Sequence, residues 1–310
     1  MKIRQIEKKA KSIFRLAKDY RVSFYGGLKN RKLFEGIETY CMFVGFPRSG
    51  HSLIGALLDA HPSMVIAHEL DVLRYVRARF SERQIFYLLL EKSRRLARGG
   101  QKRGGYVYDV PNQWQGRFKK LQVVGDKKGG YSTVRFNLHP EILKRMYNTM
   151  NVDIKFINIA RNPYDNIATI SLKDLARMEE LAKRIRIKQQ PTVKLTTKLE
   201  GHAVILKKAM DFYFSMCSII EDLKKEMKST NVFHLKHESF IEAPTTHLKE
   251  LCHFLGVNAP NDYLNDCASL VYKSAHKSRY DVEWNDELID FIKNQIIDRF
   301  SFLQGYSYEE

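Results

Sequence analysis

Apolar residues recur along this chain in two rhythms. Short β-prone runs rich in apolar residues at Cys41–Val44, residues 63–67, Leu121–Gly125, Ile154–Ala160 and Asn231–Lys236 read as strands, the first of them continuous as a buried strand is. Between them apolar positions return every three or four residues, as in Leu53, Ile54, Leu57 and Leu58 or Ile85, Phe86, Leu89 and Leu90. A longer stripe, Ile205, Ala209, Phe212, Met216, Ile219, Leu223 and Met227, predicts one long helix packed on the core. Asn285 followed by Asp286 and Glu287 reads as a helix start, with Gly305 as the stop. Strands alternating with helices predict an α/β domain: three layers, with a parallel sheet between helices. Ligands of such sheets sit at the carboxyl ends of the strands, near the point where strand order reverses.

The domain is expected to span residues 37–310. Residues 1–36 form a basic helical preface in which Ile3, Ile6, Ala10, Ile13, Phe14 and Ala17 share a face. That face is expected to dock on the domain, with a helix lying on an anionic membrane as the alternative. Residues 71–120 carry a helical stretch and then glycines, aromatics and Pro111, expected to form an acceptor-binding insert over the cleft around Trp114.

The first strand ends in Gly45-Phe46-Pro47-Arg48-Ser49-Gly50-His51-Ser52 and a helical pattern follows. Strand, glycine-bounded loop and helix together aim backbone N–H groups and a positive helix end at one spot, which suits phosphate or sulfate. The string approaches G-x-x-x-x-G-K-[ST], but His51 stands at the lysine position and a neutral imidazole cannot act as a permanent cation. On this reading the cation has moved into the loop, to Arg48. The fourth strand runs into Arg161-Asn162-Pro163-Tyr164-Asp165, with Pro163 suited to a first helical turn and Asp165 to its positive end.

The string P-R-S-G-H-S followed by D-A-H-P resembles the 5′-phosphosulfate loop of sulfotransferases that use 3′-phosphoadenosine 5′-phosphosulfate (PAPS), chiefly the bacterial and protein-tyrosine branch. The R-x-P-x-D string resembles that family's 3′-phosphate motif. The resemblance implies a P-loop nucleotide-kinase-like sheet with a helical insert and C-terminal helices. It also implies sulfonate transfer from PAPS to a hydroxyl or amine of an acceptor; the basic and aromatic residues of 71–120 suit a glycan or small polar metabolite. Pro47, Arg48, Ser49, Gly50, His51 and Ser52 would hold the 5′-phosphosulfate. Arg161 would hold the 3′-phosphate with either Thr169, eight residues on, or Ser171. Lys277, Ser278 and Arg279, in the basic stretch Lys273–Tyr280, would close over it.

Aligned on the same strings, Glu69 falls on the tyrosyl-protein branch's catalytic glutamate and His68 precedes it. Strand alternation allows only one of the pair to face the crevice. His68 has the better ordinary pKa for a base, whereas burial would raise Glu69 toward the working range. His51 is a third candidate. Lys127 or Lys128, after the third strand, would neutralise the sulfonate or the acceptor.

Composition fits an enzyme handling anions. Lys and Arg outnumber Asp and Glu by 52 to 35, giving a net charge of +17 in 310 residues. Residues 1–35 hold eleven basic and three acidic side chains, residues 74–128 fifteen and four, and Lys183–Lys198 six cations and no acid. A positive field concentrates polyanions. No nucleic-acid-binding motif accompanies the charge, so nucleic acid is not an expected partner. Four scattered cysteines form no C-x-x-C, and the histidines have no ligand spacing, so no metal is expected. The sequence shows no apolar span, signal-peptide core or N-x-[ST] sequon, which predicts a cytoplasmic enzyme. A P-loop kinase or NTPase, with Asp126 as its Walker B acid, and a non-catalytic relative are the alternatives. The sequence leaves the oligomeric state open.

Overall fold

The computed structural model describes residues 2–103, 105–183, 185 and 200–309. Apart from Lys183 and Ile185, the cationic run up to Lys198 lies outside the described residues. Helices α1 (Lys2–Lys29) and α2 (Arg31–Phe34) lead into β1 (Thr39–Gly45), α3 (His51–Asp59) and β2 (Met64–His68). Helices α4 (Val72–Arg77) and α5 (Glu82–Arg98) follow, then a hairpin of β3 (Lys102–Arg103) and β4 (Tyr106–Val107). Strand β5 (Val123–Lys127) continues through α6 (Gly130–Leu138) and α7 (Glu141–Thr149) to β6 (Asp153–Ala160). After α8 (Pro163–Lys173), α9 (Leu175–Ala182) and the long α10 (His202–Glu226) comes β7 (Val232–Lys236). Helices α11 (His237–Glu242), α12 (Pro244–Leu255), α13 (Asn261–Ser269) and α14 (Asp286–Asp298) complete the chain's main elements.

Five strands form one sheet in the order β2-β5-β1-β6-β7, every pair parallel. The sheet is buried on both faces because its side chains alternate between two apolar clusters. Tyr40, Met42, Val44, Val65, Val124 and Phe156 pack with α5, α7, α8, α10 and α14. Cys41, Phe43, Ile66, Val123, Ile157 and Ile159 pack with α3, α12 and α13. Each fully buried side chain of this size contributes about 1.5–3 kcal/mol by leaving water. Strand order reverses beside β1, so the loop after β1 sits centrally at the carboxyl edge. All four cysteines are free and buried, and no described helix is long and apolar enough to cross a membrane.

Three expectations need correcting. The third strand of the parallel sheet begins at Val123, not Leu121, and so includes Asp126 and Lys127. Those charges are tolerated because each finds partners at the strand end. The preface helix does pack on α5, but not through the expected face: Ile13 and Phe14 point to solvent, while Leu16, Ser23 and Gly27 turn inward. Gly27 lets the backbones approach, since a Cβ there would lie 3.1 Å from the Arg83 carbonyl oxygen. Residues 71–120 are mainly scaffold. Their helices cover one sheet face, and the Trp114 amide donates to the Ala60 carbonyl (3.0 Å), at the end of α3 remote from the loop. There Arg117 and Lys119 lie over the indole, 5.4 and 5.1 Å from the ring centroid.

Candidate active site

The loop between β1 and α3 is fixed from below by its own sequence. Phe46 is fully buried and stacks on Tyr213 of α10, with centroids 4.6 Å apart. The Gly45 N–H donates to Thr133 Oγ1 (2.9 Å), whose hydroxyl donates back to the Gly45 carbonyl (3.1 Å). Asn166 donates to the Pro47 carbonyl (3.1 Å) and to Ser49 Oγ (2.9 Å). Gly50 has φ 85°, and a Cβ there would lie 2.5 Å from His237, so both conformation and contact demand glycine. With the loop held, the first N–H groups of α3 point outward, unpaired by the helix itself.

His51 does not take the place of the missing lysine. Its buried ring donates from Nε2 to the Val44 carbonyl (3.0 Å), and burial lowers its pKa to about 4. The imidazole is therefore neutral and turned under the loop. Arg48, in a left-handed conformation (φ 65°), pairs with Asp174 between α8 and α9. The ammonium beside the loop belongs to Lys127 at the end of β5, which donates to Ser52 Oγ and to Glu69 Oε1, both at 3.1 Å. Gly55 makes this possible: a Cβ there would sit 2.7 Å from Lys127 Cγ, so a glycine inside α3 leaves a groove for the lysine stem.

Glu69 follows β2 in a left-handed conformation (φ 57°). Asp126 sets that turn, accepting from the amides of Leu70 (2.9 Å), Asp71 and Val72 (both 2.8 Å). Both Asp126 oxygens are thus engaged by backbone, which argues against a Walker B role. Because Glu69 has left the strand, alternation does not choose between it and His68. His68 is half-buried and in register with Lys127. Burial alone would raise the Glu69 pKa, as expected from sequence, but Lys127 and Lys128 (3.7 Å) outweigh it and hold the carboxyl down at about 2. The expected upward shift is therefore reversed. Lys128 also lies over the Tyr131 ring, and Arg177 donates to the Tyr131 hydroxyl (3.0 Å).

The second corner lies at the end of β6. Arg161 donates to Thr169 Oγ1 and Ser278 Oγ, both at 3.1 Å, and to the carbonyls of His276 and Arg48. All these partners are neutral, and its Nε has none. Thr169, not Ser171, reaches this corner: Ser171 Oγ donates to the Ala168 carbonyl (2.8 Å) within its own helix. The basic stretch does arrive here, through Ser278. Arg279 is turned away and fully buried, with Nε and Nη2 donating to the two Asp165 carboxylate oxygens at 3.1 Å each. Its Nη1 donates to the carbonyls of Ser307 (2.8 Å) and Tyr308 (3.0 Å). In this arrangement all three of its nitrogens are taken by protein oxygens. Lys277 remains exposed at the rim.

The structure thus brings together the loop, Glu69, Lys127, Arg161 and Thr169, and leaves Trp114, Arg279 and the side chains of His51 and Ser171 out. Sequence reading missed Asn166 and Asp174. Gly55 was a readable signal for the close approach of Lys127. Gly129-Gly130 was another, since a Cβ at Gly130 would lie 2.7 Å from Pro47. Among the described residues no cluster of side chains is suited to a metal ion.

A sulfotransferase domain model matches residues 38–299. No curated protein sequence matches the chain. Solved structures similar to it include the sulfotransferase domain of the Synechococcus PCC 7002 olefin synthase, with 14% identity and a TM-score of 0.47 over 85% of this chain and 96% of that one. A sulfotransferase from Alicyclobacillus acidocaldarius shows 17% identity and a TM-score of 0.43 over 85% and 93%. A mouse sulfotransferase complexed with PAP shows 15% identity and a TM-score of 0.38 over 80% and 70%. The domain match covers most of the chain and coincides with the sheet and both corners of the site, so this protein belongs to the sulfotransferase family.

Proposed function

We propose that the protein transfers the sulfonate group of PAPS to a hydroxyl or amine of a glycan or small polar acceptor, with Glu69 as general base. The observation that carries this reading is Arg161. A buried guanidinium whose hydrogen-bond partners are all neutral oxygens, with Nε unpaired, is suited to an anion, and it touches the phosphosulfate-type loop through the Arg48 carbonyl. Two anion-receiving corners joined in this way match a donor carrying phosphate groups on both the 3′ and 5′ sides of one nucleoside.

PAPS supplies a sulfonate on an activated phosphosulfate linkage. The N–H groups at the start of α3 and Ser52 receive the 5′-phosphosulfate, and Arg161, Thr169 and Ser278 the 3′-phosphate. As the acceptor oxygen bonds to sulfur, the bond from sulfur to the phosphate oxygen breaks, and Glu69 takes the acceptor proton. Lys127, shared between Ser52 and Glu69, shifts toward the leaving phosphate and stabilises its new charge. That shift removes one of the two cations holding Glu69 at low pKa, so the carboxylate becomes a better base as the donor binds.

Thermal denaturation tests the ligand assignment. Adenosine 3′,5′-bisphosphate at about one hundred times its dissociation constant should stabilise the protein by roughly 2.7 kcal/mol, whereas ATP with magnesium should not. The opposite ranking would support a nucleotide kinase instead. Incubation of acceptor pools with PAPS, read as a sulfonate mass increment, identifies the acceptor.

A further inference from the structure

The outer face of α1 is apolar where a solvent-facing helix should be polar. Ile13, Phe14, Phe24, Tyr25 and Leu28 all face solvent; Phe14 is 75% and Tyr25 67% exposed. At 100° per residue they form one stripe, its centre about 120° around the helix from that of the packed Leu16, Ser23 and Gly27. Lys11, Lys18, Arg21 and Lys29 lie within and along this stripe and are exposed too. Between Ala10 and Lys29 the single acid is Asp19, which lies on the packed side and accepts from the Tyr75 hydroxyl (2.9 Å).

The stripe continues into a cavity of about 580 Å³ beside Phe24 and Leu28, whose walls include Arg79, Arg83 and Arg145. Its one acid, Glu82, accepts from the amide of Asn151 (2.6 Å). Apolar side chains bordered by cations form a surface that buries rings among acyl chains and keeps charges at headgroup level. A second copy of this chain would bring two cationic borders and two charges of +17 together, so charge favours an anionic partner.

We propose that α1 docks this enzyme on the surface of an anionic lipid bilayer, with Phe14, Tyr25 and Leu28 inserted at the headgroup boundary and the arginine-lined cavity facing lipid phosphate. The inference does not depend on the proposed sulfonate transfer. Flotation of the full chain with phosphatidylcholine vesicles, with and without roughly a third of phosphatidylglycerol, tests it directly. Binding is expected only to the anionic vesicles and should weaken as salt is raised. The double variant Phe14→Ser, Tyr25→Ser should bind at least about tenfold more weakly, with its melting temperature unchanged because both rings are exposed. Lys18→Gln with Arg21→Gln should also weaken binding to anionic vesicles. Equal binding to neutral vesicles, or an undiminished double variant, overturns the proposal. So does a dimer in gel filtration that the double variant dissolves, since the stripe would then be an interface between copies.

Discussion

The two corners of the site are built on opposite principles. At the loop corner, charges are paired with charges: Lys127 and Lys128 with Glu69, Arg48 with Asp174. At the Arg161 corner the guanidinium is hydrogen-bonded only by hydroxyls and carbonyls. A corner of coupled charges must rearrange when an anion arrives, and its pKa values move with that event. A corner of fixed neutral oxygens keeps its geometry and offers its charge unchanged. Under the proposed function, the contrast suits the first corner to chemistry and the second to grip.

The largest effect should come from the charged corner. Glu69→Gln is expected to lower turnover by roughly 10²–10⁴ while nucleotide affinity is kept, because the amide is nearly isosteric but cannot accept the proton. Near-normal turnover, with His68→Ala inactive on the same acceptor, would move the base to the histidine. Arg161→Ala should leave turnover at saturating donor largely intact and weaken adenosine 3′,5′-bisphosphate binding by about 1.5–3 kcal/mol, measured by calorimetry. A loss confined to turnover would erase the division of labour between the corners. Thr169→Val should lose about 0.5–1.5 kcal/mol of the same affinity and Ser171→Ala none, since only the threonine hydroxyl faces Arg161.

The smallest effect is a change in pH dependence. Glu69 has its pKa depressed to about 2, so the proposed base is ionised throughout the ordinary range, and the acid limb of kcat/KM should lie below pH 4. Lys128→Met removes one of the cations holding it down and should move that limb upward, toward ordinary carboxylate values. A profile identical to the parent's would mean that the limb reports another group.

Local pattern made the sheet legible, because a strand buried on both faces is rich in apolar residues, as residues 154–160 are apart from Lys155 and Asn158. The loop after β1 and the Arg161 motif were legible for the same reason: each lies within one strand–turn–helix unit. What sequence could not show was pairing across the sheet. Lys127 and Ser52 are 75 positions apart and meet only because β5 lies beside β1 and Gly55 leaves room. The sign of the Glu69 shift was misread likewise, since burial is a local expectation and the two lysines a tertiary fact. Trp114 and Arg279 looked like ligands by residue type, and α1 had the right period but the wrong face inward. Composition cannot say which way a side chain turns.

The Arg279–Asp165 pair ties remote parts of the molecule into one thermodynamic unit. Through it the segment Ser307–Tyr308 holds the residue next to Ser278, and Ser278 touches both Arg161 and Thr169. Whatever steadies the Arg161 corner must therefore steady that segment, and by reciprocity a clip there must loosen the corner. Occupancy of the nucleotide site should accordingly be readable at a distance, as slower cleavage by a protease near Tyr308, with no probe placed in the site itself.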